Sequence, residues 1–377
     1  MGSLARRTLV VTNDFPPRQG GIQTYVYELV RRQQPDSVVV FAPAWEGAAT
    51  FDAAQDFPIV RHQSSLILPT PGIRRRVSAV AGEYRCDRAW FGAAAPLALL
   101  APALRRSGVE RLVASTHGHE TGWVKLPGAR QVLRHLAARV DAITYITEFT
   151  RSVLEPVLGE LTTLSRLPPG VDIDAFHPAA DGTAVRKRLG LHPTTPVVAC
   201  VSRLVRRKGQ DVLIRAWPQV RSRFPDASLL LVGGGPDLER LKAMVGRVGA
   251  EGVHLLGGVD QSRLPDYYAA CDVFAMPCRT RRGGLDVEGL GMVYLEAAAC
   301  ARPVIAGTSG GAPEAVRHNE TGLIVKDPTS PGSVARCVIE LLGDRNRART
   351  MGIAGRAWVE KDWSWDILAQ RWRDVIA

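Results

Sequence analysis

A chain of 377 residues is longer than one ordinary core supports and points to two domains. With 46% hydrophobic and 23% charged residues the chain is globular, and its longest apolar stretch, Phe91 to Leu104, is broken by Pro96 and Pro102 and cannot cross a bilayer. The formal net charge of +11 suits an anionic partner (nucleic acid, acidic lipid or phosphorylated substrate) or simply a solvated basic surface, and does not choose among them.

From the N-terminus, MGSLARRTLVVTN has no apolar core or cleavage site of a signal peptide, and Arg6 stands where a myristoylation signal needs Ser or Thr. A cytoplasmic protein is expected. TLVVTN (8–13) reads as a buried strand, and GIQTYVYELVRR after it as a helix with Ile22, Val26, Leu29 and Val30 on one face. SVVVFAP (37–43), RAWFGAA (88–94), RLVASTHG (111–118) and DAITYIT (141–147) are further strands. Strands alternating with helical stretches predict a doubly wound α/β domain. The Pro-, Gly- and Asp-rich segment 167–183 interrupts the pattern and is the expected linker. Strands then resume at 196–204, 227–235, 252–259, 272–278 and 302–308, with helices near 210–223, 237–248, 262–270 and 291–300. Residues 345–376 read as helical, anchored by Trp358, Trp363, Trp365 and Trp372. Six cysteines at 86, 200, 271, 278, 300 and 337 show no Cys-x-x-Cys spacing and are expected to be reduced thiols.

In open α/β sheets ligands bind beyond the carboxyl ends of the strands, so the strand-to-helix loops hold the candidates. Gly20-Gly21 precedes a helix start, where free N–H groups suit an anion, or forms an ordinary tight turn. It is not the GxGxxG dinucleotide fingerprint. His117 and His119, two apart, would face one side of extended backbone. They suit hydrogen bonding to a substrate or a structural role better than zinc, for which no third ligand stands at matching spacing. Arg203 and Lys208 bracket a loop able to grip a diphosphate, whereas Arg206 and Arg207 are expected to face solvent. In GGLDVEGLGMVYLEAAAC (283–300), Glu288 lies in a loop and Glu296 a turn inside a helix starting near Met292. The N–H groups of Gly291, Met292 and Val293 can hold a phosphate while the two carboxylates accept bonds from sugar and ribose hydroxyls. AGTSGGAPEAV (306–316) is a further glycine-rich loop, lining the same site or merely turning. Leu66, Ile67, Leu68 and Ile73 beside Arg74, Arg75 and Arg76 suit an anionic membrane surface, or form a plain surface helix. An aromatic content of 6% without a stacking motif argues against nucleic acid as the partner.

Together these segments resemble glycosyltransferase family 4. The resemblance rests on the early Gly-Gly loop, PPGVD (168–172), Arg203 with Lys208, the Glu288/Glu296 pair and DWSWDILAQRW (362–372). It implies the GT-B fold: two Rossmann-like domains facing each other across a cleft, and a C-terminal helix crossing back to the first. The corresponding boundaries are 1–168 for acceptor binding, 169–355 for nucleotide-sugar binding and 356–377 for the returning helix. More narrowly, VTNDFPPRQGGIQTY, WFGAAAPLALL, STHGHE, RTRRGGLDVEGLGMVYLEA and AGTSGGAPE are similar to the actinobacterial phosphatidylinositol-monomannoside mannosyltransferases. That likeness implies retaining transfer of α-mannose from GDP-mannose to the inositol 6-position of a mannosylated phosphatidylinositol, without metal or other cofactor. It implies peripheral attachment to the inner face of the plasma membrane. It places Arg203 and Lys208 on the donor pyrophosphate, Glu288 on the sugar, Glu296 on the ribose, and His119 at the reaction centre. Gly258 and Val259 would meet the base; Gly20 and Gly21 would meet the pyrophosphate or the inositol end of the acceptor, and Gln23 the acceptor. A family 4 enzyme with another nucleotide sugar or lipid acceptor shares these motifs, and a nucleotide-sugar epimerase shares the architecture.

Overall fold

The computed structural model describes residues 7–377, so the myristoylation reading at Met1, Gly2 and Arg6 lies outside the described residues. The chain divides into two units, one running to Gly170 and including Trp365–Ala377, the other Val171–Ser364.

The first unit alternates β1 (Arg7–Val11), α1 (Gly21–Val30), β2 (Val38–Pro43), α2 (Ala48–Ala53), β3 (Ile59–His62), α3 (Pro71–Glu83), β4 (Cys86–Phe91), α4 (Ala101–Arg106) and β5 (Arg111–Ser115). It continues through α5 (Glu120–Trp123), α6 (Pro127–Ala137), β6 (Ala142–Tyr145), α7 (Glu148–Leu158) and β7 (Thr163–Arg166). The strands form one parallel sheet in the order β3-β2-β1-β4-β5-β6-β7. Both faces are covered, which is why β2 reads as the unbroken apolar run VVVFAP, buried throughout.

The second unit holds α8 (Thr183–Arg188), β8 (Val197–Val201), α9 (Gln210–Arg223), β9 (Ser228–Val232), α10 (Leu238–Val248), β10 (Val253–Gly257), α11 (Leu264–Ala270) and β11 (Val273–Met276). Then come α12 (Met292–Ala299), β12 (Val304–Ala306), β13 (Gly322–Ile324), α13 (Pro331–Gly343) and α14 (Arg345–Asp362), and the chain ends in α15 (Trp365–Ile376). Its sheet is again parallel, ordered β10-β9-β8-β11-β12-β13. Strand order reverses between β1 and β4 in one sheet and between β8 and β11 in the other. Those crevices are where a doubly wound sheet takes its ligand.

The expected linker is partly built into the second unit. The Asp172 carboxylate accepts the N–H groups of Asp174 and Ala175 at 3.1 and 3.0 Å, and Phe176 is buried in that unit's core. The C-terminal stretch is two helices, not one. The Val171 N–H takes the Trp363 carbonyl at 2.8 Å, and Ser364 bridges Val171, so the helical ladder stops there. Residues 356–364 remain in the second unit because Arg356 donates to the carbonyls of Ile173, Phe176 and Ala299 at 2.9, 2.7 and 3.0 Å. Only α15 belongs with the first unit. There Trp365, Leu368, Trp372 and Ile376 are buried with Tyr25, Val26 and Trp90, and Trp372 meets the Trp90 ring edge-on at 5.5 Å. All six cysteines are free, five of them buried.

Emptying the place of Trp372 leaves a void against Trp90 that the sheet cannot fill. Trp372→Ala is expected to cost about 3–5 kcal/mol in urea denaturation of the first unit; a loss below about 1 kcal/mol would mean that α15 does not complete this core.

Candidate functional site

In the second unit the site grows from the ends of β8 and β11. After β8 the chain turns through Ser202–Lys208 into α9. Gly209, at φ 82°, makes the corner, and a Cβ there would stand 2.2 Å from the Pro277 carbonyl oxygen, so the residue type is dictated by the close passage of two loops. The Gln210 amide ties the loop from below, donating to Ser202 Oγ at 2.8 Å and the Arg203 carbonyl at 3.1 Å. Lys208, only 8% exposed, turns inward and places Nζ 2.7 Å from Glu288 Oε2. Glu288 is itself 6% exposed. Its backbone N–H donates to Ser309 Oγ at 3.1 Å and its carbonyl accepts from Gly311 N–H at 3.0 Å. The 306–316 loop therefore holds the backbone that presents this carboxylate.

Arg207 departs from the expected solvent-facing role. Its Nε lies 3.5 Å from Glu288 Oε2 and 3.8 Å from Asp286, since a buried carboxylate draws a second cation. Arg206 is exposed as expected. Arg203 is exposed and has no ion-pair partner among the described residues.

Four residues past Glu288, α12 begins at Met292 behind Gly291, whose φ is 85°, and no side chain caps its first N–H groups. Gly291 N–H, Met292 N–H and Val293 N–H thus form an open positive helix end. Glu296 lies one turn in, with Tyr268 Oη donating to its Oε2 at 2.6 Å. Burial raises the Glu296 carboxyl above its ordinary range, against the pull of Tyr268 and Lys208. Below, Tyr294 Oη donates to the Met276 carbonyl at 2.6 Å and fixes α12 on β11. Gly258 and Val259 follow β10 on the next strand end. The β10 turn is held by Gly233 N–H on the Gly257 carbonyl at 2.7 Å, and Leu204 N–H meets the Gly234 carbonyl at 2.8 Å. The loops bearing Arg203, Gly258, Glu288 and the start of α12 thus share one rim of this sheet.

In the first unit, Gly20 precedes α1 and Gly21 opens it, with open space beside the Gly21 Cα. Gln23 is buried and donates to Asp14 Oδ1 at 2.7 Å, so it braces the 13–20 loop. The two histidine rings stack on one side as expected, centroids 6.5 Å apart and planes 17° from parallel, but not through extended backbone. Gly118, at φ 94°, turns the chain after β5, and His119 is helical at the start of α5, so the extended backbone ends before it. His117 points back to the Gly92 carbonyl, 2.6 Å from Nε2, and packs against the Tyr25 ring; burial depresses its pKa. His119 is more than half exposed, with Nε2 at 3.3 Å from the buried Glu120 carboxylate. Among the described residues no three His, Cys, Asp or Glu side chains gather as a metal site.

The lipid-docking segment needs a correction. Ile67 is fully buried and exchanges hydrogen bonds with Asn13, and Ile73 faces the core from α3. Leu66, Leu68, Arg74, Arg75 and Arg76 are exposed. No helix among the described residues is long and apolar enough to cross a membrane.

Comparison with known proteins agrees with this geometry. Residues 19–175 match the model described as Glycosyltransferase Family 4, and residues 181–358 the model described as Glycosyl transferases group 1. A GDP-mannose-dependent alpha-(1-6)-phosphatidylinositol monomannoside mannosyltransferase of Mycobacterium tuberculosis is 50% identical, over 98% of both chains. The GDP-mannose-dependent monoacylated alpha-(1-6)-phosphatidylinositol monomannoside mannosyltransferase of Corynebacterium glutamicum is 48% identical, over 99% of this chain and 98% of its own. Among solved structures, Anabaena Alr3699/HepE, determined with UDP, superposes with a TM-score of 0.81 at 23% identity, over 98% of both chains. Sucrose-phosphate synthase of Thermosynechococcus elongatus gives 0.77 at 22%, again over 98% of both. The two parallel sheets are those of the GT-B fold, and the chain belongs to glycosyltransferase family 4, among the phosphatidylinositol monomannoside mannosyltransferases.

Proposed function

We propose that the chain is a retaining, metal-independent mannosyltransferase. It moves α-mannose from GDP-mannose to the inositol 6-position of a phosphatidylinositol monomannoside. The observation that carries this reading is the buried Lys208–Glu288 pair beside the uncapped start of α12, at the strand-order reversal of the second sheet. A cation, a row of free N–H groups and a hydroxyl-accepting carboxylate stand together there, as a sugar diphosphate requires. The choice of mannose, guanine and inositol lipid follows the relatives at 48–50% identity.

Arg203 and Lys208 bind the pyrophosphate with the N–H groups of Gly291, Met292 and Val293. Glu288 accepts from the mannose hydroxyls and Glu296 from the ribose. The backbone of Gly258 and Val259 meets guanine. Gly20 and Gly21 line the place of the pyrophosphate or the inositol, with Gln23 bracing their loop through Asp14, and His119 contacts the transferred sugar. The bond from the anomeric carbon to the diphosphate oxygen breaks first, its electron pair leaving with GDP. The acceptor hydroxyl attacks the oxocarbenium-like carbon from the same face and passes its proton to a phosphate oxygen of the departing GDP. Fixed cations and the helix end supply the charge stabilisation that a metal supplies in other transferases.

The acceptor is a lipid, so the enzyme attaches peripherally to an anionic membrane at the cytoplasmic face. Leu66 and Leu68 with Arg74, Arg75 and Arg76 are the docking elements, apolar contacts beside a basic cluster.

GDP-mannose is expected to raise the melting temperature more than UDP-glucose or ADP-glucose and to give an α-anomeric product by NMR, with turnover unchanged in EDTA. Equal stabilisation by UDP-glucose, a β product, or activity lost to EDTA and restored by magnesium would each remove part of the assignment. Changing Arg74, Arg75 and Arg76 together to Ser is expected to cut sedimentation with phosphatidylinositol-rich liposomes by about tenfold; unchanged sedimentation would remove the docking role.

The raised pKa of Glu296 carries a stability consequence. The folded state binds this proton more tightly than the unfolded chain, so stability falls as pH rises from the ordinary carboxyl value of 4.5 through the folded pKa. Glu296→Gln removes that loss and keeps an acceptor for Tyr268. It is expected to melt higher than the native protein at pH 7, with the advantage gone below pH 4.5, while GDP-mannose binds more weakly. A lower melting temperature at pH 7 would refute the reading.

A further inference from the structure

The cationic loop after β8 is braced from behind by a row of alternating charges that the donor-binding reading leaves unused. Its centre is Asp211, buried in the first turn of α9, three residues past Lys208. Arg279, in the loop that follows β11, meets it in a two-pronged fork, with Nη1 on Oδ1 at 2.9 Å and Nη2 on Oδ2 at 2.9 Å. The backbone of the same arginine binds the loop directly, its N–H donating to the Arg207 carbonyl at 2.8 Å. The row continues sideways. Arg240 Nη1 lies 3.9 Å from Asp211, and its Nη2 and Nε bind Asp237 at 2.5 and 2.7 Å. Asp237 in turn approaches Arg206 at 3.8 Å and donates its N–H to the Leu204 carbonyl at 3.2 Å.

We propose that Arg279 and Asp211 are positioning residues for the diphosphate grip. Their fork sets where Lys208 and Arg207 stand relative to Glu288. Arg203, Arg206, Arg207 and Lys208 repel one another within six residues of chain. Left alone they spread apart, and the anion then meets them at scattered distances. A carboxylate fixed behind them offsets that repulsion without touching the ligand. Arg279 also begins the segment that ends in Glu288, so one side chain joins the cation-bearing loop to the carboxylate-bearing loop. Geometry matters here because a guanidinium offers two parallel N–H bonds in a plane, which an ammonium cannot reproduce.

The proposal rests on the reading of Lys208 as a diphosphate ligand, and the test separates the two. Arg279→Lys keeps the charge and loses the fork; Asp211→Asn keeps the volume and loses the charge. In either variant the affinity for GDP by calorimetry, and the KM for GDP-mannose, are expected to worsen by about tenfold to a hundredfold. The affinity for guanosine and the KM for the lipid acceptor should stay at native values. A general loosening of the unit weakens GDP and guanosine alike, and that result would overturn the proposal, as would unchanged GDP binding. If Arg279→Lys does not fold, Asp211→Asn decides the question. In a Lys208→Ala background the Arg279→Lys effect on GDP should shrink, whereas full additivity would place the fork outside the grip. A Lys208→Ala protein with native GDP affinity would instead sink the diphosphate reading itself.

Discussion

Lys208 and Glu288 carry opposite charges into a place that water barely reaches, 2.7 Å apart at 8% and 6% exposure. Desolvating such a pair costs free energy that its own attraction only roughly repays, so the pair is a poor device for stability alone. What it does is fix the distance between two loops that arrive from separate strands. Around it the backbone is over-determined: Gly209 lets one loop pass within contact of Pro277, and Ser309 with Gly311 grips Glu288 by its peptide groups. On the proposed reading, a diphosphate entering here would meet a cation already placed and would exchange one anionic partner of Lys208 for another. Loss of Glu288 leaves Lys208 as an uncompensated buried charge, a change that costs about 3–5 kcal/mol in folded proteins, whereas loss of Lys208 leaves Glu288 with Arg207 at 3.5 Å.

The strands that the sequence revealed are those buried on both faces. TLVVTN, SVVVFAP and ASLLLVGGG are apolar runs because parallel strands with helices on either side have no polar face. The strands it hid lie toward the margins. At the ends of the two sheets, IVRH in β3 and TLSR in β7 are half-exposed and GLI in β13 has three residues, so no run or alternation marks them. The break between α14 and α15 carried no Gly or Pro signal either. It arises because Val171, nearly two hundred residues earlier, takes the Trp363 carbonyl, a tertiary event invisible to local pattern.

The candidate site residues divide the same way. Lys208, Glu288, Glu296 and the Gly291 turn were legible because loops beyond strand ends, glycines and charges coincide there. Arg207 was not, since only the fold shows that Glu288 is buried deeply enough to draw a second cation. His117 and His119 looked equivalent until Gly118 at φ 94° turned one ring inward and left the other exposed. Ile67 and Ile73 looked like lipid contacts and are core residues: Asn13 binds the Ile67 peptide groups, and the helix capped at Thr70 buries Ile73 with its apolar face. Asp211 had a faint signal, an acid one turn after a basic run, yet its partner Arg279 lies 68 residues on.

That partition changes what the charge of +11 means. Much of the arginine is structural. Arg356 satisfies three carbonyls that bind α14 to the second unit, and Arg186 reaches the Ala270, Pro193 and Thr195 carbonyls besides Asp272. Arg61 does the same for Pro16 and Pro43 while paired with Asp52. Such groups are neutralised by carbonyl dipoles and carboxylates, and a passing anion does not feel them beyond a Debye length. The field that matters comes from cations left in solvent without a carboxylate. Among them, Arg203 stands on the rim beyond β8, and Arg74, Arg75 and Arg76 lie in one turn of α3. A net charge counted from the sequence therefore overstates the attraction for an arbitrary polyanion, because much of it is already neutralised within the fold.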